Sequence, residues 1–218
     1  MFALDLDALR ATPLTRKPFE FLIVPGFLRP EARAAINADF PAIATPGSFP
    51  PSGLHYGPAF AALLEELRGE PLRRAFEEKF ALSLKGRPTM ITVRGRCRYK
   101  DGQIHTDTPD KIITVLIYLN PAWEAAGGRL RLLRSPTDIN DVIVEVPPLE
   151  GTLLAFRRSD CSYHGHQPFA GERRVVQLNW VVSSWVVRRE QARHRLSALV
   201  KRVLALGQSW LPPRRAAG

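Results

Sequence analysis

Cysteine is scarce: Cys97 and Cys161 are the only two in 218 residues. That is too few for the disulfide framework of a small secreted fold, and the pair is too far apart for zinc-site spacing. Both are expected as small core or near-surface residues, and a reducing cytoplasm suits them best. Long apolar runs are missing as well. The longest, Ile112 to Leu119, has eight residues, where a membrane-spanning helix needs about twenty. The start, Met1 to Arg10, carries Asp5 and Asp7 in place of the basic and apolar segments of a secretory leader. These absences point to a soluble, cytoplasmic protein. No internal repeat or low-complexity segment is evident, so one domain with terminal elaborations is expected.

Acidic residues are outnumbered, leaving a net charge of +10. A summed basic field draws anions, but much of the excess sits between Arg188 and Gly218, where Arg188, Arg189, Arg193, Arg195, Lys201, Arg202, Arg214 and Arg215 face Glu190 alone. A basic tail of this kind is read as a solvated face rather than a nucleic-acid surface.

Up to about residue 87 the pattern is mostly helical. Lys17 to Leu28 reads as a strand closed by Pro25-Gly26. A helix follows from Pro30 to about Asp39, since proline at a first helical turn lacks only an N–H that would be unpaired there. Phe40 to Pro58, with five prolines and three glycines, reads as a long covering loop. Two short helices, Ala59 to Leu67 and Leu72 to Phe80, are separated by Gly69-Glu70-Pro71. From Pro88 the period changes to that of strands: Thr89 to Tyr99, Lys111 to Leu119, Arg129 to Leu133, Val142 to Val146, Thr152 to Phe156 and Val175 to Val187. Short strands divided by turn residues indicate a sandwich or barrel, mainly β with flanking helices. The expected layout is a domain over 1–187, with helices in 1–87 and the β core in 88–187, followed by a basic helix from Glu190 to Leu206 and a tail within 188–218.

The chemistry-bearing residues lie in Gln103-Ile104-His105-Thr106-Asp107 and, fifty-seven residues beyond Asp107, in Ser162-Tyr163-His164-Gly165-His166-Gln167-Pro168. Residues i and i+2 of a strand point to one side, so His105 and Asp107 can converge on one point. A histidine from a distant strand completes two imidazoles and a carboxylate on one face of an ion, the ligand set of non-haem Fe(II) oxygenases. His164 and His166 share a strand face, and only one of them is needed.

The ordered set His105-x-Asp107, Tyr118-Leu119-Asn120, Trp123, Gly127-Gly128-Arg129-Leu130, Gly151 to Phe156, His164, Gly171-Glu172-Arg173-Arg174 and Trp180 resembles the prolyl-hydroxylase-like branch of the 2-oxoglutarate/Fe(II) dioxygenases. The likeness runs from Thr89 to Val187, more loosely from Pro18 to Phe40. It implies a double-stranded β-helix, a cupin-like jelly-roll barrel, with Fe(II) on His105, Asp107 and His164. His164 is preferred because a proline follows it four residues later, leaving His166 beside the site. It further implies 2-oxoglutarate as cosubstrate, with ascorbate as a stimulatory reductant, and hydroxylation of an unactivated C–H bond with release of succinate and CO2. Its distal carboxylate falls to Arg174, with Tyr118 as hydroxyl partner. Arg174 lies six residues before Trp180 and shares strand parity with Val176, Leu178 and Trp180, the apolar set taken to line the barrel. The substrate suggested is a prolyl or other peptidyl residue, a small molecule or a glycan precursor. Two other readings stand beside this one: a nucleic-acid demethylase, motivated by charge alone, and a catalytically silent cupin-like binding module.

Overall fold

The computed structural model describes residues 2–188. The expected basic helix from Glu190 to Leu206 and the tail after it lie outside the described residues. Among those residues, no helix is long and apolar enough to cross a membrane.

The chain begins with α1 (Leu6–Ala11), β1 (Phe21–Val24), α2 (Pro30–Ala38), α3 (Pro58–Arg68) and α4 (Glu70–Phe80). It continues through β2 (Thr89–Cys97), β3 (Lys111–Tyr118), β4 (Leu130–Leu133), β5 (Val142–Val146), β6 (Leu153–Arg157), β7 (His164–His166) and β8 (Gly171–Val181). The α1 helix, which the sequence pattern does not announce, is held by Asp5, whose side chain accepts from Ala8 N at 2.9 Å in the manner of an N-cap. The α3 and α4 helices abut at Gly69, which ends one and opens the other, and each has proline in its first turn. The segment between α2 and α3 is not a detached loop. Phe49 forms a two-bond antiparallel bridge with Val93 at 2.9 and 2.8 Å, extending the edge of β2.

The strands form two antiparallel sheets, a five-stranded one ordered β1-β6-β3-β8-β2 and a three-stranded one ordered β5-β4-β7. This is the jelly-roll arrangement, with the sheets open rather than closed into a barrel. The larger sheet is covered on its outer face by helices. Ile91, Val93, Ile113, Val115, Ile117, Val176, Leu178 and Trp180 share one core with Leu9, Leu63, Leu67, Phe76 and Phe80, and the Phe76 and Trp180 rings lie 5.0 Å apart. Full burial of each large apolar side chain there contributes roughly 1.5–3 kcal/mol. A second core fills the space between the sheets at one end, with Phe21, Leu116, Tyr118, Leu130, Leu132, Phe156 and Val175.

Two differences from the sequence pattern matter. The last strand does not run to Val187: it ends at Val181, and residues 184–188 are helical. The parity of β8 is also the reverse of that expected. Val176, Leu178 and Trp180 meet the helices, while Arg173, Val175, Gln177, Asn179 and Val181 line the cavity between the sheets. The longest apolar alternation marks the helix-covered face, because that is where most nonpolar area is removed from water.

Candidate functional site

The cavity between the sheets has a volume of about 420 Å³. On its smaller-sheet side the backbone carries His105 and His164 to one place: His105 N donates to His164 O at 3.0 Å and His164 N donates to His105 O at 2.9 Å. One bridge further, His166 N donates to Gly102 O at 2.9 Å. This pairing needs glycines. A Cβ on Gly102, whose φ is +88°, would stand 2.4 Å from the His166 ring, and one on Gly165 would stand 2.7 Å from Gly102 O. Side chains rarely adopt that φ, and neither approach leaves room for one.

One ligand atom from each of His105, Asp107 and His164 lies within 4.8 Å of the others. Asp107 and His164 are buried and His105 is exposed. The rings are fixed from behind: His105 Nδ1 lies 2.8 Å from Gln103 O and His164 Nδ1 lies 3.0 Å from Ser162 O. A carbonyl only accepts, so each Nδ1 carries the proton and each Nε2 presents a lone pair, the tautomer a metal ligand requires. Burial lowers the His164 pKa to about 4, outweighing the opposite pull of Asp107. His166 is arranged alike, with Nδ1 at 2.8 Å from Gln167 O, and is also lowered to about 4 by burial and then by Arg173. It faces the same cavity but stands outside the three-residue cluster.

Asp107 is held on both oxygens. Lys111 Nζ donates to Oδ1 at 2.6 Å, and Thr114 Oγ1 donates to Oδ2. Behind Thr114 the bonds run in one direction: Gln177 Nε2 donates to Asn179 Oδ1 at 3.0 Å, and Asn179 Nδ2 donates to Thr114 Oγ1 at 2.8 Å. Arg158 Nε adds a bond to the Asp107 carbonyl at 3.1 Å. Burial alone would raise the Asp107 carboxyl, but Lys111, His164 and these hydrogen bonds together hold it below the ordinary carboxylate range.

Arg173 also lines the cavity, with Tyr118 packed against it in the apolar core between the sheets. The Tyr118 side chain shares the inward face with Thr114 and Leu116, as its parity requires, and is fully buried. Arg173, 4% exposed, sets its guanidinium carbon 5.3 Å from the Tyr118 ring centroid and donates from Nε to Gly128 O at 2.8 Å. Its Nη2 and the Tyr118 hydroxyl are buried without a hydrogen-bond partner. Burial raises the Tyr118 pKa, with Arg173 opposing. Arg174, the arginine expected here, points the other way. It donates from Nε to Glu172 at 2.6 Å and lies 5.2 Å from the Phe40 ring centroid, its side chain 30% exposed.

A buried cation with an unused donor beside an unused hydroxyl can receive an anion. Three converging metal-type ligands stand in the same cavity. Residues 96–182 match the 2OG-Fe(II) oxygenase superfamily. The match runs from the end of β2 to the end of β8. Among curated protein sequences none matches this chain. Solved structures with the same fold include a Pseudomonas putida prolyl-4-hydroxylase, 19% identical, covering 81% of this chain and 97% of its own with a TM-score of 0.54. A Phytophthora capsici prolyl 4-hydroxylase is 18% identical over 86% of this chain and 68% of its own, with a TM-score of 0.56. The viral collagen prolyl hydroxylase of Paramecium Bursaria Chlorella virus-1, in complex with 2OG, is 16% identical over 75% and 96%, with a TM-score of 0.50.

Of the residues singled out in the sequence, His105, Asp107 and His164 come together in this cavity and Tyr118 lies in the core beside it, while Arg173, Lys111, Thr114 and Asn179, which line the same cavity, were not selected. The signal for Thr114, Gln177 and Asn179 was present: polar residues at alternate positions of otherwise apolar strands, with Thr114 opposite Asn179 across the β3–β8 register.

Proposed function

We propose that this chain is an iron(II)- and 2-oxoglutarate-dependent hydroxylase, with His105, Asp107 and His164 holding the metal and Arg173 with Tyr118 holding the distal carboxylate of the cosubstrate. The observation that carries the assignment is Arg173 Nη2, buried without a partner on a side chain that lines the cavity containing the three ligands, with the unpartnered Tyr118 Oη in the core beside it. The donor set fits a facial site, in which two imidazoles and one carboxylate leave further positions of an octahedral ion open. When bound, the iron and 2-oxoglutarate supply the oxidation, with O2 as oxidant and succinate and CO2 as co-products.

The chain's own residues bind and orient. Gln103 O and Ser162 O keep the two imidazoles in the ligating tautomer, and the Gln177–Asn179–Thr114 chain of donors keeps the Asp107 carboxylate ionised and fixed in rotation. Arg173 is a planar two-pronged donor suited to a carboxylate. Leu116, Leu130 and Val175, which line the same cavity, exclude water from it. A peptidyl substrate, prolyl in particular, is favoured by the likeness to prolyl hydroxylases; a small molecule or glycan precursor is the second choice.

The test is aerobic incubation of iron-loaded protein with 2-oxoglutarate. Succinate should form slowly alone and faster with a substrate, found by screening proline-rich peptides and then small molecules for a mass gain of one oxygen atom. Loss of succinate formation in Asp107→Ala is expected. Succinate formation that persists in Asp107→Ala, or its absence from the wild-type protein, would overturn the proposal.

A further inference from the structure

Strict alternation along β3 sends Ile113, Val115 and Ile117 to the helices and Thr114, Leu116 and Tyr118 to the space between the sheets, where Thr114 and Leu116 line the cavity. Lys111 has the parity of the helix face, yet its side chain lines the cavity. The cause is a register shift against β8: Lys111 pairs with Val181 and Ile113 with Trp180, so an extra residue lies between them. A bulge of this kind re-aims a side chain, and bulges concentrate beside active sites. Here it delivers an ammonium, 17% exposed, to Asp107.

The charges of the cavity wall can be matched in pairs. Its cations are Arg94, Lys111 and Arg173, and its carboxylates are Asp101 and Asp107. Arg94 lies 3.9 Å from Asp101 and donates to Ser48 at 3.0 Å. On the reading above, Arg173 takes one of the cosubstrate's two negative charges, and the metal's two positive charges are balanced by the other and by Asp107. The metal would take an Asp107 oxygen, and Lys111 and Thr114 donate to the two oxygens. Thr114 is neutral and anchored by Asn179, whereas Lys111 is a flexible cation that a metal ion repels, so Lys111 gives way. A largely buried ammonium then lacks a carboxylate among the described residues of the wall, and such a charge is costly unless paired.

We propose that Lys111 is the residue through which this pocket recognises its substrate, its ammonium pairing with an anionic oxygen group, carboxylate or phosphate, that the substrate carries close to the carbon to be hydroxylated. This inference rests on the metal and cosubstrate assignment given above. Lys111 pairs with Asp107 in this structure; with the metal bound it would face the substrate.

The experiment uses the full chain, with Mn(II) in place of iron, and calorimetric titration of the wild type, Lys111→Met, Lys111→Arg and His164→Ala. Mn(II) alone should bind Lys111→Met roughly tenfold more tightly than wild type, a change of about 1.4 kcal/mol. With Mn(II) and 2-oxoglutarate saturating, inorganic phosphate or acetate should bind the wild type and Lys111→Arg in the millimolar range and bind Lys111→Met at least about tenfold more weakly. Preference for phosphate assigns a phosphorylated substrate, and preference for acetate a carboxylated one. Equal Mn(II) affinity in wild type and Lys111→Met overturns the proposal. So does anion binding that is absent from wild type or undiminished in Lys111→Met. Retention of wild-type Mn(II) affinity by His164→Ala would instead remove the metal assignment, a separate failure that takes the Lys111 role with it.

Discussion

Replacing Arg173 by alanine should abolish tight cosubstrate binding while leaving the fold intact, and the two readouts respond by different amounts for a reason the structure supplies. The guanidinium is 4% exposed, donates to Gly128 O, stacks against Tyr118 and keeps Nη2 unpartnered. In the cosubstrate-free protein it is a desolvated cation, so its removal relieves a burial cost as well as losing one hydrogen bond, and stability should change by no more than about 1–2 kcal/mol in either direction. In the complex the same residue is half of a buried ion pair, and removing one partner typically costs about 3–5 kcal/mol. That corresponds to roughly two to three and a half orders of magnitude in Kd. Arg174→Ala is the control. Its partner Glu172 is exposed and the pair is a surface one, worth about 0–1 kcal/mol, so the variant should bind 2-oxoglutarate nearly as the wild type does. The assay is anaerobic titration of Fe(II)-loaded protein with 2-oxoglutarate, followed by the visible charge-transfer band, with urea denaturation of the same samples. A larger loss of affinity in Arg174→Ala than in Arg173→Ala would refute the assignment. Wild-type affinity in Arg173→Ala would refute it as directly.

Thr114→Val keeps the shape of the side chain and removes the hydroxyl between Asn179 and Asp107. It should cost about 1–3 kcal/mol in chelator-treated protein by denaturant titration, and a change below about 0.5 kcal/mol would contradict the donor chain. Gly102→Ala should destabilise by at least about 1 kcal/mol, because its Cβ would meet the His166 ring at 2.4 Å from a φ of +88°; thermal melts that match the wild type would show that the pairing of this segment with β7 is misjudged. Glu77 accepts from Leu84 N at 2.6 Å and pairs with Arg73, and its pKa is lowered, the Leu84 N–H being the largest cause. Its contribution is therefore present above the ordinary glutamate value of 4.5 and is lost as pH falls through the lowered one. Glu77→Gln should flatten that part of the acid decline in melting temperature, and an unchanged decline would exclude the linkage.

Most of the β core was legible because its strands announce themselves by alternation. Lys111 to Tyr118, Val142 to Val146 and Leu153 to Arg157 lie within a residue or so of the segments the pattern marks. Proline and Gly69 bound the helices for local reasons, fixed φ and conformational freedom, so those too were readable. The elements missed depend on partners. The short β7 has the sequence His-Gly-His, with no apolar periodicity, and is a strand because β4 pairs with it along one edge and the segment around Gly102 to His105 along the other. The one-turn shortfall of the last strand, which gives way to helix after Val181, is likewise invisible in Val-Val-Ser-Ser-Trp-Val-Val, a run whose β-branched residues favour extension until the sheet has no further partner to offer.

The inversion of β8 carries a more general lesson about reading a site from parity. Arg174 faces inward only if the apolar face of the strand turns into the barrel, and that holds where the barrel is the only core. In this chain the larger sheet has two buried faces with different solvents. One is a helix layer containing Leu63, Leu67, Phe76 and Phe80, and the other is a cavity that must hold charged groups. The strand satisfies both by giving Val176, Leu178 and Trp180 to the first and Arg173, Gln177 and Asn179 to the second. Polar residues at alternate positions of a buried strand therefore mark the functional face, because each would cost free energy on the helix side and each has a partner on the other. Applied to β3, the same rule selects Thr114 and Tyr118. It fails for Lys111 alone, where the extra residue before Ile113 shifts the parity by one. That exception falls at the carboxylate on which the metal assignment depends, so the register shift is itself a marker of the site.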